Sequence, residues 1–377
     1  MLAAMNEVTI FAPSPTLTIT VEERGDDAEI HLHAGGQGVW QARMLRRLGI
    51  GVRMCCTLTG EPGPILRHLL EDEGFAVSGV ERPGRASAYV HDRRGGERRV
   101  IAETEGEPLS RHDLDELYGA TLREGLEAGL VILSGPSGEE SLPADTYRRL
   151  ASDLREGGAV VVVDLAGERL EAALAAGVDV LKVSHEELLD DGRIDDASSE
   201  SVRAAMRELR SEGAETVIVS RASEPLLLLD ADGFLEIGSP RMAAVETRGA
   251  GDSLTAGVAA GMARGEAPRE AVLTGAAAGA LNVTRHGLGT GNSETIERLR
   301  ETLSVRALDD DSAGAEPSEG ARVSPEGLAA LARPPEDDAG GDEPRDGETR
   351  EDDPSAEAAD AAEADRTDGQ ERREDPL

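Results

Sequence analysis

Between residues 7 and 219 short apolar runs recur at the spacing of strand–helix–strand units, and this rhythm constrains the fold more than any other property of the chain. The runs EVTIF at 7–11, 52–58, GLVIL at 129–133, AVVVV at 159–163, VDVLK at 178–182 and ETVIV at 215–219 are too short and too β-branched for independent helices. Helical patterns fill about 36–48, 63–74, 143–156 and 200–212. Strands that alternate with helices pair in parallel, and their helices cover both faces of the sheet. Two stretches break the rhythm. Residues 17–33 and 86–102 alternate polar and apolar side chains with no helix between, as in AEIHLH and SAYVHD, and predict a small β-sheet projecting from the main layer. After residue 250 the sequence turns to Ala/Gly-rich helices, at about 251–264, 268–285 and 293–304.

The folded part is predicted to end near residue 307. From 308 to 377 there are 24 acidic side chains, seven arginines and no aromatic residue. Such a segment buries too little apolar surface to offset a backbone entropy of about 1–2 kcal/mol per residue, so 308–377 is predicted to be a disordered acidic tail after a single domain at 1–307. The whole chain carries a net charge of −36, which excludes polyanionic partners, nucleic acid and anionic membrane alike. No apolar run approaches the ~18–20 residues of a membrane-spanning helix, and the start MLAAMNEVTIFAP lacks a charged, cleavable leader. The two cysteines, Cys55 and Cys56, are adjacent and cannot make a disulfide framework, which fits a reducing compartment. The expectation is a cytoplasmic protein.

The 39 basic residues are 38 arginines and one lysine, Lys182, which Val183 follows; a Walker A phosphate loop, which needs Lys before Ser or Thr, is therefore excluded. GxGxxG is also absent. The segment that carries chemistry is GAGDS at 249–253, ahead of the apolar helix LTAGVAAGMA. Gly249 and Gly251 let a ligand approach the backbone. The helix start offers free N–H groups and a positive dipole end, a place for phosphate. Asp252 lies in its first turn, where a carboxylate can accept the proton of a hydroxyl attacking a phosphoryl group, or can simply cap the helix.

GAGDS after a β-rich half, together with AGGQGVWQARMLRRLGIGV at 34–52, APSPT at 12–16 and SGPS at 134–137, resembles the ribokinase-like (phosphofructokinase-B) carbohydrate kinases over about residues 6–304. Within that family the resemblance is greatest to the phosphofructokinase and tagatose-6-phosphate kinase branch. It implies a three-layer α/β/α sandwich with a small β-lid that often mediates homodimers, and the use of ATP and Mg²⁺. It further implies transfer of the ATP γ-phosphoryl group to a hydroxyl of a sugar or sugar phosphate. Asp252 would be the base, and Gly249, Ala250 and Gly251 the backbone anion hole. On the nucleotide side, KVSHEEL at 182–188 resembles the family's Lys-Pro-Asn-x-x-Glu segment: Lys182 and Glu187 match, Ser184 stands at the Asn position, and Glu187 would order the water shell of Mg²⁺. Ser220 and Ala222 fall on the loop over the triphosphate, and Asn282 and Gly287 on the segment beside adenine and a monovalent cation such as K⁺. On the substrate side the resemblance places Thr16, Gly35, Gly36, Gln37, Gly38, Trp40 and Arg85, with Arg85 directed at the phosphate the sugar already carries.

The chain also departs from the pattern in both pockets. Thr16 stands for a sugar-binding Asp, and Trp40, the single tryptophan, for an Asn; Trp40 either stacks on a sugar face or plugs the pocket. Ser184 replaces Asn, the glycines of the 220–225 loop are lost, and Glu224 brings negative charge towards the triphosphate path, next to Arg221. These losses motivate an alternative, a weak or inactive relative that binds sugar or nucleotide as a sensor or partner subunit. His31 and His33 share a strand face but lack the further Cys or His that a metal site needs.

Overall fold

A computed structural model describes residues 5–25, 27–95, 98–136, 142–240, 247–284, 289 and 291–309. Gly287 and the tail from 310 onwards lie outside the described residues. The main sheet has ten strands in the order β14 (Ser304–Leu308), β13 (Gly233–Gly238), β12 (Glu224–Asp230), β11 (Ala214–Arg221), β10 (Val178–Ser184), β9 (Val160–Asp164), β8 (Leu130–Ser134), β1 (Glu7–Phe11), β4 (Gly51–Thr59) and β5 (Ala76–Arg82). From β11 to β5 all neighbours are parallel. Both faces of the inner strands β8, β9 and β10 are buried, which is why they read as unbroken apolar runs. In β8, Leu130 and Ile132 point into one core and Val131 and Leu133 into the other.

The first core packs under α1 (Gln37–Arg47), α2 (Pro62–Asp72), α8 (Ala250–Ala263), α9 (Pro268–Asn282) and α10 (Ser293–Glu301). The second packs under α3 (Arg111–Ala128), α4 (Asp145–Glu156), α5 (Gly167–Ala176), α6 (His185–Asp190) and α7 (Ser199–Glu212). The three-layer sandwich is thus observed. Every residue of α8 from Asp252 to Ala263 is buried, and the small side chains there let α9 come close: a Cβ on Gly257 would stand 2.6 Å from the Gly275 Cα. This contact anchors the GAGDS turn at the head of α8.

The two alternating stretches form a separate four-stranded sheet, the lid, in the order β3 (Asp27–Gly35), β2 (Thr16–Arg24), β6 (Ala88–Asp92), β7 (Arg99–Thr104). Its register sets Thr18 between His33 and Tyr89, and Thr20 between His31 and His91, on one face. Ile19, Leu32 and Val90 alternate with them onto the other. On that second face Ile30 is 63% exposed and Leu32 44%.

Three expectations need correction. The sheet is mixed, because β12, β13 and β14 extend it antiparallel. Helix α10, expected to run to about 304, stops at Glu301, and 304–308 pairs with β13 as β14. Between β7 and β8 lies an 18-residue helix, α3, that the apolar pattern alone did not mark.

Candidate active site

The GAGDS segment turns into α8 at Gly249, whose φ of 70° makes it the left-handed N-cap; no side-chain cap bond is made there. Gly251 is required by contact, since a Cβ at this position would sit 2.7 Å from Lys182 Nζ. Lys182, at the end of β10, is buried and pairs with Asp164 Oδ1 at 3.1 Å. Asp164 closes β9, is 1% exposed, and its Oδ2 accepts from Thr255 Oγ1 at 2.7 Å and Gln41 Nε2 at 3.1 Å. Ser134 donates to the Oε1 of the same Gln41. A buried polar hub thus ties α1, β8, β9, β10 and α8 together beside Asp252. Sequence reasoning missed Asp164, although a carboxylate closing the apolar run VVVVD was a visible signal.

The electrostatics of this hub set the protonation of Asp252. Burial, followed by the Asp164 charge, pushes its carboxyl up to about 8, while Lys182 opposes the shift. Burial alone would lower Lys182, but Asp164, Glu187 and Asp252 outweigh it and hold the ammonium above its ordinary range. Lys182 therefore stays charged, and Asp252 titrates near neutral pH. Ser253, next in the turn, keeps a buried hydroxyl with no hydrogen-bond partner among the described residues.

Ser184 and Glu187 lie at the head of α6 in a capping box: Ser184 Oγ accepts from Glu187 N at 3.2 Å, and Ser184 N donates to Glu187 Oε2 at 2.6 Å. Ser220 stands opposite Ser184 in the β10–β11 register. Ala222 begins the tight turn into β12 with φ 49°, a left-handed conformation that favours glycine. Arg221 and Glu224 face each other across that turn. Asn282 is buried at the end of α9, donates to the Arg248 carbonyl at 2.7 Å and accepts from Gly289 N at 3.2 Å, so it braces the GAGDS loop.

On the substrate side the glycine loop is held tightly. A Cβ on Gly38 would meet the Ala12 Cβ at 2.5 Å, which fixes α1 against the end of β1. Both polar ends of Gln37 are taken by main chain, with Oε1 accepting from Gly135 N at 2.7 Å and Nε2 donating to the Asp164 carbonyl at 3.3 Å. Thr16 is buried with its hydroxyl 2.9 Å from that of Ser87. Gly36 has φ 107° just before α1, and Gly35 and Trp40 line a cavity of about 700 Å³ under the lid. Trp40 is half-buried at the edge of this space. Arg85 donates to the Glu105 carbonyl at 3.1 Å and lines a second, smaller cleft with Pro13, Ser14 and Pro15 of the APSPT loop and with Ser87. Arg24 pairs with Glu29 at the exposed lid tip. His31 and His33 stack at 6.0 Å, and no group of three His, Cys, Asp or Glu able to hold a metal occurs among the described residues.

The sequence profile of the pfkB family of carbohydrate kinases matches residues 3–296. The chain belongs to this family. The kinase is 28% identical over 281 residues to a 1-phosphofructokinase of Bacillus subtilis, covering 73% of this chain and 89% of that one. It is 31% identical over 273 residues to an ATP-dependent 6-phosphofructokinase isozyme 2 of Mycobacterium tuberculosis, with 71% and 79% covered. Among solved structures, phosphofructokinase-2 from Escherichia coli in complex with potassium shares the fold, with TM-score 0.67, 24% identity, and 79% and 99% of the chains covered. An Arabidopsis thaliana ribokinase complexed with ribose and ATP does so with TM-score 0.62, 21% identity, and 79% and 99% covered. The kinase has no helix among its described residues long and apolar enough to cross a membrane.

Proposed function

We propose that this carbohydrate kinase transfers the γ-phosphoryl group of ATP to a hydroxyl of a sugar phosphate, with Asp252 as general base. The observation that carries the reading is the buried Asp252 carboxyl placed one residue beyond a Gly-Ala-Gly helix start, beside the Lys182–Asp164 pair; burial and the Asp164 charge push that carboxyl up. A base whose proton affinity lies near the working pH takes a hydroxyl proton effectively. In the step, the acceptor hydroxyl gives its proton to Asp252 as its oxygen bonds to the γ-phosphorus. The bond to the β–γ bridging oxygen breaks and ADP leaves. The N–H groups at the head of α8, preset by Gly249 and Gly251, point at the charge that develops on the phosphoryl oxygens, an effect that typically contributes several kcal/mol. Lys182, fixed by Asp164, adds a positive charge that does not reorganise.

The donors suit Mg²⁺ in their chemistry: Asp164, Glu187 and Asp252, close enough to shift Lys182, are the hard carboxylate oxygens that this ion takes. When bound, the ion would neutralise phosphate charge; on the protein side Glu187, held by its capping box, would order the ion's water. The potassium complex of the Escherichia coli relative supports the use of K⁺ as well. The exposed apolar lid face at Ile30 and Leu32 supports a homodimer through the lid, and a tetrameric form is known for that relative. Cys55 and Cys56, both buried and free, suit the cytoplasm. ATP turnover by the full chain over a panel of sugars and sugar phosphates, with Mg²⁺ and K⁺, tests the reading. Binding of ATP and sugar without any turnover would replace it with the sensor alternative.

A further inference from the structure

Two glutamines on α1, Gln37 and Gln41, stand one helical turn apart on the same face, and each spans the same two strand ends. Gln37 Oε1 accepts from Gly135 N at 2.7 Å, just after β8, and Gln37 Nε2 donates to the Asp164 carbonyl at 3.3 Å, at the end of β9. One turn on, Gln41 Oε1 accepts from Ser134 Oγ, and Gln41 Nε2 donates to Asp164 Oδ2 at 3.1 Å. Ser134 and Asp164 are direct neighbours in the β8–β9 register. The side chains therefore form two parallel rungs of one polarity, oxygen towards β8 and nitrogen towards β9. The chemistry fixes that polarity, because the Gly135 main-chain N–H can only donate and the ionised Asp164 carboxylate can only accept. Gln41 is fully buried, in a helix face that an apolar side chain of the same size would fill without any polar group to satisfy.

The rungs connect two places that matter. At one end, α1 starts directly after Gly35 and Gly36 and carries Trp40 to the space under the lid. At the other, Asp164 Oδ2 also accepts from Thr255 Oγ1 at 2.7 Å, and Asp164 Oδ1 pairs with Lys182 Nζ at 3.1 Å. Both of those partners touch Gly251: Thr255 Oγ1 is 3.1 Å from its carbonyl, and Lys182 Nζ lies 2.7 Å from where its Cβ would be. A path of buried hydrogen bonds thus runs from α1 through Gln41 and Asp164 to the turn that holds Asp252. Such a network holds one arrangement when every member is paired.

We infer that Gln37 and Gln41 are positioning residues, a two-rung ladder that sets the acceptor loop on α1 at a fixed distance from Asp164 and, through it, from Lys182 and the Gly249–Asp252 turn. Its bearing on catalysis rests on the phosphoryl-transfer reading; the mechanical link does not. Gln37 then serves the scaffold of the glycine loop instead of binding sugar. In-line transfer needs the acceptor oxygen and the phosphorus about 3–3.5 Å apart and aligned, and a misplacement of about 1 Å costs about 10²-fold. Without Gln41, Asp164 loses the donor that ties it to α1, and the acceptor loop is free to shift against the base. The surfaces that bind each ligand stay as they were, so the loss falls on kcat.

Turnover and calorimetric binding are measured on the full chain with ATP and fructose 6-phosphate, or the sugar phosphate of the panel that turns over fastest. Gln41→Met keeps the side-chain length and neither bond; kcat should fall about 10- to 100-fold with both dissociation constants within about threefold. Ser134→Ala cuts only the β8 end of the rung and should lower kcat about three- to tenfold. Gln41→Glu keeps the Ser134 bond but sets a carboxylate against Asp164, and should fall at least as far as Gln41→Met. Val202→Ala trims the core under α7, away from the ladder, and should lower Tm with kcat unchanged. The inference is overturned by Gln41→Met, or Ser134→Ala should the former not fold, with kcat within about twofold of wild type. A loss confined to KM, or one that Val202→Ala reproduces, overturns it too. A wild type with no turnover defeats the kinase reading instead, and binding then decides the ladder. Fructose 6-phosphate should tighten the non-hydrolysable β,γ-imido analogue of ATP at least about fivefold in wild type and leave it unchanged in Gln41→Met. Coupling that is equal in the two proteins, or absent from both, refutes the link.

Discussion

Replacing Asp164 by Asn separates the electrostatics of the hub from its shape. Asn keeps the volume and can still accept from Thr255 and Gln41, which lie 2.7 and 3.1 Å from Oδ2, but it removes the charge 3.1 Å from Lys182 Nζ. Removing one partner of a buried ion pair destabilises by about 3–5 kcal/mol. Asp252 and Glu187 also raise Lys182, so they retain part of the compensation, and the lower end of that range applies. For a folded body of some 300 residues, an unfolding entropy of about 2.1 cal/mol/K per residue converts this to a fall in Tm of about 5 °C. The second effect has the opposite sense for function. The Asp164 charge raises the Asp252 carboxyl, so its removal lets Asp252 ionise at lower pH. In wild type the proton-accepting form accumulates as pH rises through about 8, and kcat/KM should rise with it. In Asp164→Asn that rising limb should move towards acid pH. Scanning calorimetry and a pH series of kcat/KM measure both. A folded variant whose limb stays in place, or moves towards alkaline pH, would refute the assignment of the titrating group to Asp252 beside Asp164.

Ala222→Gly should raise stability by about 0.5–1 kcal/mol, because relief of the left-handed strain at φ 49° exceeds the extra freedom gained by the unfolded chain; an unchanged or lowered Tm would contradict it. Charging the exposed lid face with Ile30→Lys and Leu32→Lys should shift the sedimentation coefficient from dimer to monomer, and a monomeric wild type would remove the lid-dimer proposal. Removal of 310–377 should leave Tm within about 1 °C and turnover unchanged if that segment contributes nothing to the core, as its composition implies.

What the sequence revealed and what it hid have physical causes. Buried parallel strands such as VVVVD, with both faces apolar, announce themselves, and so does the alternation in the lid. Helix α3 was hidden because charged residues dilute its apolar stripe, yet its capping box at Ser110 and Asp113 was a readable start signal. The turn residues between Asp230 and Gly233 mark the β12–β13 hairpin, which the βα rhythm of the strands up to 219 does not show. At the site, GAGDS and Lys182 were legible because glycine and a lone lysine are chemically distinctive. The role of Asp164 was not, since its hub joins residues far apart in sequence, Gln41 on α1 and Thr255 on α8.

The claim that Asp252 accepts the proton in phosphoryl transfer is tested most directly by Asp252→Asn in the purified full chain, with ATP and sugar-phosphate binding followed by calorimetry alongside turnover. The account predicts kcat lower by about 10²–10⁴ with both dissociation constants nearly unchanged. Turnover equal to that of wild type, in a variant shown to bind both ligands, would contradict it.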